Sequence, residues 1–175
     1  MLFRSGLDAK FADVFSEYNL QERMAILGFG SRAAYLEAEA TIEAKAQDMV
    51  AHYLTHVFPN GYKAQIVATS REAAVRYKKY VDAALQAAIK AIEVNDPNAS
   101  ELATLKKLKS DVVISGNHND ELHLKAFTDA SKHEASIKSF KLPFGKEDDN
   151  GVNGDVGIVI VNNMLLTGFD APFEQ

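Results

Sequence analysis

Three polar residues, Thr69, Ser70 and Arg71, directly follow the short apolar run 64–68. A serine before a helix can accept a hydrogen bond from a backbone N–H of the first turn, and that helix end attracts anions. Hydroxyl groups and a guanidinium at one place suit a phosphate oxygen. The pattern predicts a phosphate contact here, and a plain helix cap with a surface arginine is the alternative that it leaves open.

A second polar group, Ser115-Gly116-Asn117-His118, follows the apolar run 112–114. Its hydroxyl, amide and backbone N–H donors lie beside the first group if both runs are parallel strands, since ligands of such sheets bind beyond the carboxyl ends of the strands. An ordinary turn has the same composition, so this group alone does not define a site.

A third polar group follows the apolar run 157–161 and contains Thr167, Gly168 and Asp170, with Pro172 after them. Glycine allows the backbone to approach a ligand closely, and proline prevents a helix from continuing. A carboxylate at this place could bind a ribose hydroxyl or orient a neighbouring arginine.

Other residue combinations lack part of the chemistry that they suggest. His52 and His56 have the spacing of a zinc protease pair, but the glutamate that should follow the first histidine is absent. The acidic segment 147–155 does not place oxygen ligands at the positions of a calcium-binding loop, and no phosphate-binding glycine loop occurs. The chain has no cysteine, which excludes disulfides and thiolate zinc sites. We therefore predict no metal site.

The 175 residues suit a single domain, and the composition of 47% apolar and 25% charged residues is that of a folded protein. The net charge is −5, but residues 61–141 carry 13 basic and 10 acidic side chains, so the middle of the chain is mildly positive. No apolar run approaches the ~20 residues of a membrane span, and no signal peptide is recognisable. We expect a cytoplasmic protein without a membrane partner.

Hydrophobic patterning predicts three short strands, 64–69, 112–115 and 157–161, each separated from the next by helical sequence. Strands that are apolar on both faces are typical of a parallel sheet covered by helices on both sides. The predicted fold is an open, doubly wound α/β domain with a helical N-terminal lead. A long helix should run from a cap at Ser31 to about Val57, another should start at Arg71, and Asp120 should cap a further helix.

Four segments then resemble one family. The string 164–172, Met-Leu-Leu-Thr-Gly-Phe-Asp-Ala-Pro, is similar to motif V of the motor (R) subunit of type I restriction enzymes, which are superfamily two DNA translocases. Segments 63–77 and 112–116 resemble the motif IV strand and helix and the next strand and loop of that family, and 29–38 resembles the lead into its second helicase domain. The resemblance implies an open parallel RecA-like sheet, with a lead or linker at 1–30 and a partial second RecA-like domain, motifs IV to V, at 31–175.

The same resemblance implies roles for individual residues. The residues that would contact the DNA backbone are Ser70, Arg71, Ser115, Gly116 and Thr167, and those at the nucleotide cleft are Gly168 and Asp170. No catalytic residue is expected in this fragment, which would stop after motif V. ATP and Mg²⁺ belong to the full-length enzyme, a type I site-specific deoxyribonuclease, and neither is expected on the fragment, which should be inactive alone. The implied partners are double-stranded DNA, the first RecA-like domain, and the methylation and specificity subunits.

Two alternatives remain from the residues alone. The chain could be a docking module whose long helix, 32–58, packs on neighbouring domains or subunits. It could also be a small, unrelated α/β nucleotide-binding enzyme with its pocket around Asp170.

Overall fold

The computed structural model describes residues 36–162, and those from Glu37 onward belong to one compact unit. The predicted domain boundary at residue 30, the helix cap at Ser31, and the site residues Thr167, Gly168 and Asp170 lie outside the described residues.

The described chain alternates helices with three short strands. Helix α1 spans Glu39–His52 and continues through a π-helical turn, Tyr53–Val57, and a 3-10 turn, Phe58–Asn60. The elements that follow are β1 (Ala64–Val67), α2 (Arg71–Asn95), α3 (Leu102–Leu105), β2 (Lys109–Ile114), α4 (Leu122–Lys125), α5 (Ala130–Lys141) and β3 (Val156–Asn162).

The three strands form one open parallel sheet in the order β1-β3-β2, which confirms the predicted parallel arrangement. Val67 of β1 and Val113 of β2 both lie opposite Val161 of the central strand, so all three strands end at the same edge. We call this carboxyl edge, with the segments 68–71 and 115–120 that follow β1 and β2, the rim. The rim brings together the first two polar groups of the sequence.

Helices cover both faces of the sheet, as the apolar strands predict. Alternate residues of β3 point to opposite sides: Ile158 and Ile160 pack in a cluster with α1 and α2, whereas Val159 and Val161 pack with Phe140 of α5. Each residue from Val156 to Val161 is buried. This two-sided burial explains why β3 is a continuous apolar run rather than an alternating one.

The predicted first helix is not continuous. Ala38 has an extended backbone with φ −60° and ψ 131°, and α1 begins after it. The carbonyl of Glu37 accepts a hydrogen bond from Arg76 Nη1 at 2.5 Å, a partner that lies 39 residues away and that helical periodicity cannot reveal. At the other end the prediction is correct, because the helical turns stop at Gly61, which has the left-handed φ of 77°.

Strand β2 begins three residues earlier than its apolar pattern predicts. Ser110 is buried and donates from its hydroxyl to Asp82 Oδ1 at 2.6 Å, and Asp111 accepts a hydrogen bond from Ser136. Polar residues are tolerated in this strand because they have partners, but their polarity conceals the strand in the sequence. The predicted helix at Arg71 is present, and a single helical turn, Leu102–Leu105, lies between it and β2.

Within residues 36–162, no helix combines the length and the apolar character that a membrane crossing requires.

Candidate functional site

The first part of the rim is the start of α2. Ser70 has an extended backbone, and its hydroxyl oxygen accepts a hydrogen bond from the backbone N–H of Ala73 at 3.1 Å. This is the N-cap that the sequence predicts. The cap holds the hydroxyl and the first turn of α2 at the carboxyl edge of the sheet.

Arg71 connects the start of α2 to the segment after β2. Its Nη1 donates to the carbonyl oxygen of Ser115 at 2.8 Å. The same Nη1 donates to Asp120 Oδ2 at 2.7 Å, and Nη2 donates to Oδ1 at 2.6 Å. This is the bidentate geometry in which arginine binds a carboxylate most strongly. We call the Arg71–Asp120 pair the clasp.

The clasp is electrostatically stabilised on both sides. The hydrogen bond from Arg71 lowers the pKa of Asp120, and the backbone N–H of Asn117, at 2.6 Å from Oδ2, lowers it further. The same interaction raises the pKa of Arg71. Each group therefore favours the charged form of the other.

The predicted role of Asp120 as a helix cap is wrong. The N-cap of α4 is Glu121, whose side chain makes no capping hydrogen bond, while the carboxylate of Asp120 points to Arg71 and Asn117. An aspartate before a helical pattern suggests a cap from local sequence alone. Here a charged partner 49 residues earlier takes the carboxylate instead.

Gly116 lies in a narrow place within the rim. A Cβ added at Gly116 would lie 3.3 Å from Thr128 Cβ, so any larger residue would press on the segment between α4 and α5. Ser115, Gly116 and the next three residues are exposed, whereas Asp120 is buried. The exposed hydroxyl and backbone groups are those that a phosphate could reach.

A second set of charged groups, centred on Glu72, lies beside the clasp. His123 Nε2 of α4 is 2.7 Å from Glu72 Oε2 of α2, and Arg76 Nη2 is 3.3 Å from Glu72 Oε1. The hydrogen bond between His123 and Glu72 raises the pKa of the histidine and lowers that of the glutamate. Together with the clasp, this pair ties α4 to the first turn of α2.

We expect the pKa of His123 to lie above its ordinary value and to fall towards it in the Glu72→Gln variant. Because the folded-state pKa is raised, the contribution of this pair to stability is complete below the ordinary histidine pKa and is lost as the pH rises through the folded value. A titration of the histidine side chains by NMR measures the shift.

The structure brings together four of the predicted site residues, Ser70, Arg71, Ser115 and Gly116. Thr167, Gly168 and Asp170 lie outside the described residues, so their predicted places at the DNA path and the nucleotide cleft stay predictions. Sequence reasoning missed Asp120 as the partner of Arg71. The only local signal was a conspicuous acidic residue within a polar turn, and a helix cap explains such a residue equally well.

Among residues 36–162, no three acidic or histidine side chains are placed to hold a metal ion. The rings of His52 and His56 lie 4.9 Å apart beside a groove of about 680 Å³ between α1 and β1, without a third ligand. The acidic segment before β3 is a turn, in which Asp148 Oδ1 accepts hydrogen bonds from the N–H groups of Asn150 and Val152.

The described residues thus define an α/β protein with a small open parallel sheet, helices on both faces, and polar groups gathered at the carboxyl edge. No protein-family model matches the chain. A protein of Methanocaldococcus jannaschii named "Putative type I restriction enzyme MjaVIIIP endonuclease subunit" is 30% identical over 139 residues, which are 78% of this chain and 12% of that protein. The chain is a distant homologue of that subunit and corresponds to a small part of its length.

Proposed function

We propose that the chain is part of the motor subunit of a type I restriction endonuclease, in which it forms a second RecA-like domain that contacts the backbone of duplex DNA. The homology to a named restriction subunit supports the assignment to a type I restriction endonuclease. The open parallel sheet supports the assignment to a RecA-like domain. The proposed DNA contacts come from the rim, through Ser70, Arg71, Ser115 and Gly116, and from Thr167.

One observation carries the proposed DNA contact. The bond of 2.8 Å from Arg71 Nη1 to the Ser115 carbonyl joins the segments after β1 and β2 into one continuous polar surface. Hydroxyl groups and backbone N–H groups bind phosphates irrespective of base sequence. A motor that steps along DNA needs such contacts at each position.

The proposed nucleotide side lies at Gly168 and Asp170, which would form one wall of an ATP cleft. The described residues contain no carboxylate cluster for Mg²⁺, so the proposal assigns the metal and the triphosphate cradle to the first RecA-like domain of a larger protein. ATP, when bound there, would supply the energy for movement along DNA. The proposal also includes the methylation and specificity subunits as partners.

Duplex DNA binding tests the proposal directly. We expect the purified chain to bind a labelled 30-base-pair duplex of arbitrary sequence with a Kd of about 10⁻⁴ to 10⁻⁶ M near physiological salt. The logarithm of Kd should increase linearly with the logarithm of the salt concentration. Fluorescence anisotropy over a salt series measures both quantities. Absence of binding at low salt, or strong preference for one sequence, would contradict a backbone contact.

The Ser115→Ala variant should bind this duplex about tenfold more weakly, because one hydrogen bond from a neutral hydroxyl to a charged phosphate oxygen is lost. The slope with salt should stay the same, since no charge changes. Ser100→Ala, at an exposed serine beyond the far end of α2, is the matched control and should bind like the wild type. Equal affinity of the two variants would remove Ser115 from the proposed contact.

A further inference from the structure

The clasp is partly shielded from solvent, although it lies at the rim. The side chain of Arg71 is 19% exposed and that of Asp120 is 3% exposed. Both terminal nitrogens of the guanidinium donate within the protein, to the two carboxylate oxygens and to the carbonyl of Ser115. The positive charge of Arg71 is therefore already matched before any ligand arrives.

Asp120 also fixes the backbone of the segment that follows β2. Its Oδ2 accepts the N–H of Asn117 at 2.6 Å, and its own N–H donates to the Asn117 carbonyl at 3.2 Å. These two bonds close a turn over residues 117–120, while Arg71 holds the carbonyl of Ser115. One carboxylate and one guanidinium thus determine the conformation of an otherwise exposed segment, 115–119.

We propose that Asp120 is a positioning residue for DNA binding: with Arg71 it holds the segment 115–120 in the conformation whose exposed hydroxyl and backbone N–H groups contact phosphate. This inference rests on the proposed function and refines it, because Arg71 then stays on Asp120 and supports the contact rather than making it. A loop that is ordered before binding has a smaller entropic cost to overcome when the ligand binds.

Movement of Arg71 from Asp120 to a phosphate is the competing arrangement. It would leave without its cation the Asp120 carboxylate, which is only 3% exposed in the clasp, and removing one partner of such an ion pair is costly. It would also release the Ser115 carbonyl and loosen the surface that the DNA contacts. The closed clasp avoids both costs.

The two arrangements predict opposite changes in DNA affinity for the Asp120→Asn variant. If Asp120 positions the segment, this variant binds duplex DNA roughly tenfold more weakly, with an unchanged slope against salt. If Asp120 withholds Arg71 from phosphate, the variant binds more tightly, and its slope steepens by about 0.9 for one added phosphate contact. The second result, or unchanged affinity, overturns the proposal.

Glu121→Gln is the matched control, because it removes one carboxylate charge at the neighbouring residue. The Glu121 side chain is 82% exposed and is paired with His123 at 3.4 Å, an exposed pair that contributes little to stability. This variant should tighten binding less than about twofold, through reduced repulsion of the DNA. Arg71→Lys is the second variant: it keeps the charge but cannot form the bidentate pair, and it should weaken binding without changing the slope. A flatter slope in Arg71→Lys would contradict the inference.

Amide hydrogen exchange without DNA separates this inference from the proposed function. The Asn117 amide should exchange at least tenfold faster in Asp120→Asn than in the wild type, while the core amides of β3 stay protected. Unchanged exchange at Asn117 would show that the clasp does not order the segment and would overturn the inference. If the wild-type chain does not bind DNA, the proposed function fails, and exchange still decides whether the clasp orders the rim.

Discussion

Replacing Gly154 by alanine should destabilise the fold by about 3 kcal/mol, near the upper end for overpacked sites. A Cβ at this position would lie 2.1 Å from the carbonyl oxygen of Pro143 and 2.9 Å from that of Leu142. Both contacts are with backbone atoms, which cannot relieve the clash by a change of rotamer as the end of a side chain can. Gly154 also donates its N–H to Lys146 at 2.8 Å, so a shift of this segment breaks the connection that leads into β3.

Urea unfolding followed by circular dichroism measures the effect. Gly151→Ala, in the same segment, is the matched control: its Cβ would meet only Glu147 Oε1 at 3.7 Å, but its φ of 80° disfavours a side chain. That variant should cost about 1 kcal/mol for its backbone conformation alone. If Gly154→Ala is no more destabilising than Gly151→Ala, the close backbone contact at Gly154 does not affect the free energy of unfolding, and the prediction is wrong.

The stability of the protein should rise as the pH increases from about 8 to 10, because of the buried Lys63. This side chain is fully buried, and its Nζ donates to the carbonyl oxygens of Ser139 at 2.9 Å and Gly154 at 3.1 Å. Burial lowers the pKa of Lys63 to about 8, although the nearby carboxylate of Asp155 opposes the shift. The folded protein therefore releases this proton at a lower pH than the unfolded chain does.

The sign of the effect follows from the depressed pKa. Below pH 8 the folded state must keep a charged ammonium inside the protein, and above it the folded lysine is neutral while the unfolded one still binds a proton. Stability thus increases through this window, by roughly 2 to 3 kcal/mol at 1.36 kcal/mol per pKa unit. Above pH 10 the trend reverses, since burial raises the pKa of Tyr53 and ionisation then favours the unfolded chain.

Free energies of unfolding at several pH values between 7 and 10 test this expectation. Lys63→Met should abolish the rise, because the titrating group is gone. Lys107→Met, which changes an exposed lysine, should keep it. A wild-type stability that is flat or falling over this window would show that Lys63 retains its ordinary proton affinity in the folded protein.

Local and repetitive features of the fold could be predicted from the sequence. The three strands are apolar runs because helices cover both faces of the sheet, and Ser70 is recognisable as a cap because its partner, Ala73, is three residues away. Gly61 marks the end of the first helical segment for a similarly local reason, its left-handed backbone.

The missed features depend on partners that are distant in the chain. The break at Ala38 accompanies a bond between Arg76 and Glu37, and the role of Asp120 depends on Arg71. Lys63 resembles a surface residue in the sequence, and only the fold reveals that the carbonyls of Ser139 and Gly154 and the ring of Phe144, 4.7 Å away, surround its ammonium. Such contacts follow from topology, which a single sequence specifies only coarsely.

The strand order has a consequence for how the chain acquires its structure during synthesis. Within residues 36–162, the only strand with which β1 and β2 pair is β3, which is the last of the three to leave the ribosome. Until about residue 162 has emerged, the two earlier strands have no strand to pair with, and their backbone edges remain open to other nascent chains. Pairing across such a long separation is slow. Premature termination before Val156 should therefore yield an aggregation-prone polypeptide rather than a smaller folded unit.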